Sequence, residues 1–304
     1  MILSTVTNMF LKREGGSFIP LEESMRRLRE IGFTTLDISL QESILQPNHP
    51  LITETWEHWV NHIGEEAANL GITLSSAHLP YFQSPDPRFK DTDKQALVEK
   101  AMHRSVQACE KLGIKWAAAH ITHSVEDAGF VPEIKKKSIR YFTPFIEAAN
   151  LVGVGIAFEN MIASNEINRI RYPAAAWELI DFVDDINAPN VGICWDFGHA
   201  HFLYPNDQSK PLHQLGKRLK VIHVHDNWRT ADSHVTPYFG TINWPPIMEA
   251  LTDMGFAGDF TLELTTINRG RPDEVQTMNA QHAYLIGMYL LAMADKSEIS
   301  RPAM

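Results

Sequence analysis

The stretch VIHVHDNWRTADSHV, residues 221–235, holds three histidines and two aspartates in fifteen positions, directly behind a short run of β-branched residues. Imidazoles and carboxylates at that density are suited to holding a divalent cation or to passing protons. The same residue types recur along the chain: His78 in SSAHLPYF, His120 in AAAHITHS, Glu159 and Asn160 in AFENM, Asp196 with His199 and His201 in WDFGHAHF, and Glu263 in TLELT. Taken singly, each has an ordinary explanation as hydrogen-bonded structure. Brought to one place, the carboxylates would repel one another, and a divalent cation is the most economical neutraliser.

The elements that must position these residues follow from hydrophobic periodicity. Short runs rich in Ile, Val, Leu and Thr recur eight times, at 3–6, 34–40, 72–78, 115–121, 154–160, 191–196, 219–226 and 259–265. Segments of helical spacing lie between them, and five close on glycine, at Gly32, Gly71, Gly113, Gly153 and Gly255. Strand and helix alternating eight times predict a single (β/α)8 TIM barrel, taken as one domain over residues 1–304. A doubly wound sheet is the competing architecture, but neither GxGxxG nor GxxxxGK[ST] occurs to mark a nucleotide loop. In such barrels chemistry gathers at the C-terminal ends of the strands, and the polar residues named above end their runs.

Composition limits the function classes. The chain has 304 residues, 44% hydrophobic and 21% charged, as a globular protein should. A net charge of −10 repels a polyanion, so no nucleic-acid partner is expected. No stretch approaches the ~20 apolar residues that span a bilayer, and the start does not read as a secretory leader, so the expectation is a cytoplasmic protein with no membrane partner. Cys109 and Cys194 sit in a helical and a strand-like run and are read as two buried thiols. The apolar segment AYLIGMYLLAMA is read as the last barrel helix, with a homo-oligomer contact as the other use for it.

Together, FEN, WDFGH, HVHDN followed by DSH and YFGTINW, and the final TLEL resemble the xylose isomerase-like TIM barrel superfamily, the sugar phosphate isomerase/epimerase family. That family includes ketose 3-epimerases and inosose dehydratases, with endonuclease IV a relative. The resemblance covers about residues 20–290. It implies metal ligands at Glu159, Asp196, His223 and Glu263, with Glu159 and Glu263 also the catalytic acid/base pair. His78, His120, His199, Asp232 and His234 match further metal or substrate positions, the larger set belonging to the endonuclease branch. The implied cofactor is Mn²⁺, Mg²⁺ or Co²⁺ at the carboxylate-rich site, moving toward Zn²⁺ if the outer histidines join. The implied reaction is proton abstraction beside a metal-bound carbonyl through an enediolate, in a metal-dependent isomerase or epimerase of a small carbohydrate. A keto-sugar or inosose dehydratase and a multi-metal phosphodiesterase are the alternatives.

Asn160, Trp195 and Arg229 are candidate substrate contacts, and His225 is read as support for a neighbouring ligand. Tyr81, Phe82, Phe197, Trp228, Tyr238 and Phe239 fit either sugar stacking or packing beneath loops. Arg169, Arg171, Arg269 and Arg271 follow strand ends, where an anion clamp is one use for them.

Overall fold

A computed structural model describes residues 1–81, 92–121, 131–162 and 172–299. Eight strands, β1 (Leu3–Val6), β2 (Thr35–Ser39), β3 (Thr73–His78), β4 (Trp116–Ala119), β5 (Gly155–Glu159), β6 (Val191–Asp196), β7 (Leu219–Val224) and β8 (Phe260–Leu262), form one closed parallel barrel. Each pairs with its neighbour in sequence, and β8 returns to β1 through Leu3 opposite Phe260. The helices are α1 (Leu21–Ile31), α2 (Glu42–Leu45), α3 (Trp56–Leu70), α4 (Thr92–Lys111), α5 (Val131–Leu151), α6 (Ala176–Ile186), α7 (Phe197–His201), α8 (Ser209–Leu215), α9 (Trp244–Asp253) and α10 (Asp273–Ile299). All eight expected strands are present, β1 and β6 with the expected bounds and the other six trimmed at their ends, and the five helix-closing glycines all take positive φ. The short helices α2 and α7, of four and five residues, were not foreseen because neither is long enough to display a hydrophobic period.

Two separate apolar layers hold the barrel. Alternation along β6 sends Ile193 and Trp195 into the large cluster between strands and helices. Cys194 joins Ala118, Ala157 and Val221 in a small cluster that plugs the interior. Small residues inside leave room above them for the bulky polar side chains at the mouth. The closing segment packs as the last barrel helix: α10 contacts β1, β8, α1 and α9. A Cβ at Gly287 would come within 2.5 Å of Leu3, so glycine permits that close approach. Among the described residues no helix is long and apolar enough to cross a membrane.

Candidate metal centre

Six successive strand ends deliver donors to one mouth. Glu159 and Asp196 are the last residues of β5 and β6, His78 ends β3, and His120 and Glu263 stand one residue beyond β4 and β8. At the centre, His223 Nδ1 lies 3.2 Å from Glu159 Oε1 and 3.7 Å from Glu263 Oε2. With Asp196 these three residues offer four ligand atoms within 4.8 Å of one another, and all four side chains are buried. On one side, His120 Nε2 and His78 Nε2 approach Glu159 Oε2 at 3.0 and 3.4 Å. On the other, Asp232 Oδ2 receives His199 Nε2 at 3.2 Å and His234 Nε2 at 3.3 Å. All nine positions implied by the resemblance thus converge on one place.

A tenth residue joins them. His225 was read as support only, yet its ring stacks on His234 with centroids 3.8 Å apart, and its Nε2 lies 3.0 Å from Asp196 Oδ1. It completes a four-residue donor group with His199, Asp232 and His234. Room for that ring comes from Gly198, where a Cβ would sit 1.9 Å from His225 Cε1. The sequence signal was the period of two that puts His225 on the same face as His223.

Local structure fixes the donors' directions. The Asp196 carboxylate caps α7 by accepting the His199 N–H at 2.6 Å, which seats His199 over β6. His234 holds a left-handed backbone at φ 44, an unfavourable conformation for a non-glycine residue, and its Nδ1 meets the Glu263 carbonyl at 2.7 Å.

The electrostatics are those of interleaved opposite charges. Burial raises the Asp196 carboxyl, but His199 and His225 outweigh it and hold it at about 2. The same contest leaves Glu159 far below its ordinary range beside His223 and His120. Burial disfavours imidazolium at His199 and His234, yet Asp196 and Asp232 hold the first well above its usual value, and Asp232 with Glu263 lifts the second to about 9. His120 goes the other way, its burial winning over Glu159.

Among the buried polar atoms here without a hydrogen-bond partner are Asp196 Oδ2, His223 Nε2, His225 Nδ1, Asp232 Oδ1 and Glu263 Oε2. Leaving such atoms unpartnered costs about 1–3 kcal/mol each. A donor set of carboxylate oxygens and imidazole nitrogens with unspent acceptors is what a divalent cation fits.

The candidate substrate contacts fare differently. Trp195 points outward, fully buried against Tyr204 with Nε1 toward Gln208, because period-two alternation places it opposite the inward Asp196. Asn160 is committed to backbone: its Oδ1 accepts Asp196 N–H at 2.7 Å and its Nδ2 donates to the Asp196 carbonyl at 2.9 Å, locking β6 to β5. Arg229 is exposed in the loop after β7 and does not line the mouth; Arg269 and Arg271 are exposed as well. Tyr81 does belong to the mouth, 3.9 Å from the His120 ring. Phe197 is buried against Trp244, while Trp228, Tyr238 and Phe239 stay half exposed on the outer loop. Phe82, Arg169 and Arg171 lie outside the described residues.

Comparison with known proteins accords with this geometry. The profile of a family described as xylose isomerase-like TIM barrel matches residues 15–284. An uncharacterized protein of Methanocaldococcus jannaschii is 28% identical over 159 residues, and that match spans about half of each chain, 52% of both. Among solved structures, a D-tagatose 3-epimerase-like protein superposes with a TM-score of 0.74 at 19% identity, over 98% of this chain and 99% of that one. An IolI protein solved with a bound zinc atom gives 0.69 at 20% identity, over 99% and 100%. At such identities the likeness establishes the fold.

Proposed function

The chain belongs to the xylose isomerase-like TIM barrel family, and from that premise we propose that it is a divalent-metal-dependent isomerase or epimerase of a sugar or sugar phosphate. The observation that carries this reading is the convergence of Glu159, Asp196, His223 and Glu263 within 4.8 Å, with unpartnered oxygens on Asp196 and Glu263. These four residues would hold the ion, with Mn²⁺, Mg²⁺, Co²⁺ or Zn²⁺ the candidates. When bound, a divalent ion polarises a carbonyl and offsets the charge that develops as the neighbouring carbon loses its proton.

The proton itself is the chain's task. Glu263 lines the mouth cavity, whereas Glu159 is fully enclosed behind His78 and His120. Inverting a carbon requires a proton-moving group on each face. Asp232 lines the cavity too but is held between His199 and His234, and of the Glu159–Glu263 pair only Glu263 reaches it, which favours a shift between adjacent carbons, with Glu263 taking and returning the proton, over inversion by that pair. His234, 3.5 Å from Glu263 Oε2, orients that carboxylate.

The test is loss of carbon-bound proton signals, followed by NMR, from D-fructose, D-tagatose and fructose 6-phosphate in D₂O with the metal-loaded protein. Exchange should fall ~10²-fold or more in Glu263→Gln reloaded to full metal occupancy, and both Glu263→Gln and Glu159→Gln should hold the ion more weakly than the parent on dialysis. No exchange from any of the three at full metal loading would overturn the proposal.

The flanking donor groups favour a second reading, a phosphodiesterase using several ions. Metal content decides between them. Two or three tightly held ions with hydrolysis of bis(p-nitrophenyl) phosphate would carry the second; one ion with proton exchange carries the first.

A further inference from the structure

Beside the mouth lies a second cavity of about 240 Å³, built by the segments after β1 and β2 and the starts of α1 and α3. Asn8 and Ser39 line both spaces. The mouth cavity alone is about 100 Å³, well under the ~300 Å³ at which small-molecule sites begin, and the adjoining space brings the pair into that range.

The walls of the second cavity are of two kinds. Phe10, Leu11, Ile19 and Trp59 give it apolar surface, and Asn8 with Glu42 gives it acceptor oxygens. Asn8 Nδ2 donates to Ser39 Oγ at 3.2 Å and to Glu42 Oε1 at 3.1 Å, which turns the amide and leaves Asn8 Oδ1 without a partner. Glu42 is 7% exposed, and its Oε2 is likewise unpartnered. Among the described residues neither cavity is lined by lysine or arginine, and the second carries the two carboxylates Glu22 and Glu42. A phosphate or carboxylate would find no cation in these walls. A hydroxyl-bearing group would satisfy Asn8 Oδ1 and Glu42 Oε2 as a donor while its C–H faces pack on Trp59 and Phe10.

We propose that the second cavity is a subsite for an uncharged, hydroxylated extension of the substrate, such as the second ring of a keto-disaccharide. The proposal rests on the sugar reading above and narrows its substrate class. Because the subsite is separate from the donor cluster, its occupant can be tested apart from the chemistry.

The experiment measures binding to the metal-loaded full-length protein by titration calorimetry, with D-fructose, fructose 6-phosphate and isomaltulose as probes. Isomaltulose should bind about tenfold or more tightly than fructose. Gln46→Trp, a substitution in the cavity wall that touches no donor at the mouth, should erase that advantage and leave fructose binding unchanged. Glu42→Gln should weaken isomaltulose several-fold. Equal or absent affinity for isomaltulose overturns the subsite, as does a Gln46→Trp effect that falls on fructose and isomaltulose alike, or a tighter fit for fructose 6-phosphate that Gln46→Trp removes. Isomaltulose binding that depends on Gln46 without proton exchange from any sugar keeps the subsite and sinks the isomerase reading. Exchange without the disaccharide preference does the reverse.

Discussion

Asp196 and Asp226 stand at the ends of adjacent strands, both fully buried, and the structure treats them in opposite ways. Asp226 is saturated. Its Oδ1 accepts N–H from Asn227 and Ile242, its Oδ2 from Tyr238 and the Trp244 indole, all at 2.9–3.0 Å. Gly240 permits the turn that makes this possible, since a Cβ there would lie 2.2 Å from Asp226 Oδ1. Asp196 keeps Oδ2 unpartnered and is surrounded by imidazoles. A buried carboxylate that spends its acceptors on backbone N–H groups is a staple; one that withholds them is a ligand in waiting. The staple at Asp226 ties down the loop that carries Asp232 and His234, so the second kind depends on the first.

Exchanging each aspartate for asparagine tests this contrast most severely. Asp196→Asn should lower activity ~10²-fold or more and strip metal on dialysis, with the unfolding midpoint little changed. Asp226→Asn should retain metal affinity within a few-fold yet cost about 4 kcal/mol, because an amide turns N–H toward donors that need an acceptor. Urea unfolding beside metal content reads both, and a reversal of the two patterns would erase the distinction.

A second test uses an imidazole already spent. His49 Nδ1 accepts the Leu51 N–H, and burial lowers its pKa to about 4. The folded protein thus resists a proton that the unfolded chain binds near pH 6.5. Stability from this group is complete above pH 6.5 and is lost as pH falls toward 4, at most by ~3 kcal/mol. His49→Asn, which keeps an acceptor near that place, should flatten that slope in urea unfolding measured across pH 4–7.

The mouth histidines predict the opposite coupling. His199 and His234 titrate well above pH 6.5 beside Asp196, Asp232 and Glu263, and ligation requires neutral rings. Adding metal to chelator-treated protein at pH 7 should release protons, and affinity should rise about tenfold per pH unit for each proton displaced. A pH-independent affinity between 6 and 8 would remove these rings from the ligand set. Smallest of all, Arg229→Ala should change KM less than twofold, since that side chain is exposed outside the mouth.

Much of the site was legible because a barrel converts strand-end position into spatial convergence. Once eight runs alternate with helices, residues ending those runs meet regardless of their distance in sequence. Trp195 was read as a substrate contact, but the same alternation turns it away from the mouth when Asp196 turns in, and that outweighs the affinity of tryptophan for sugars. His225 was harder to place, because its entry into the cluster depends on Gly198, twenty-seven positions earlier, leaving its ring space. The second cavity lay beyond periodicity altogether, since Glu42 sits on a helix of four residues and Asn8 in a single turn.

The sequence by itself determined the barrel and the order of its elements, since these follow from local periodicity, and it pointed to nine of the ten residues gathered at the mouth. Only the tertiary structure decided which acceptors are spent and which remain free. Hydrogen-bond satisfaction depends on neighbours from distant strands and loops, which is why Asp226 fills both oxygens while Asp196 keeps Oδ2 free.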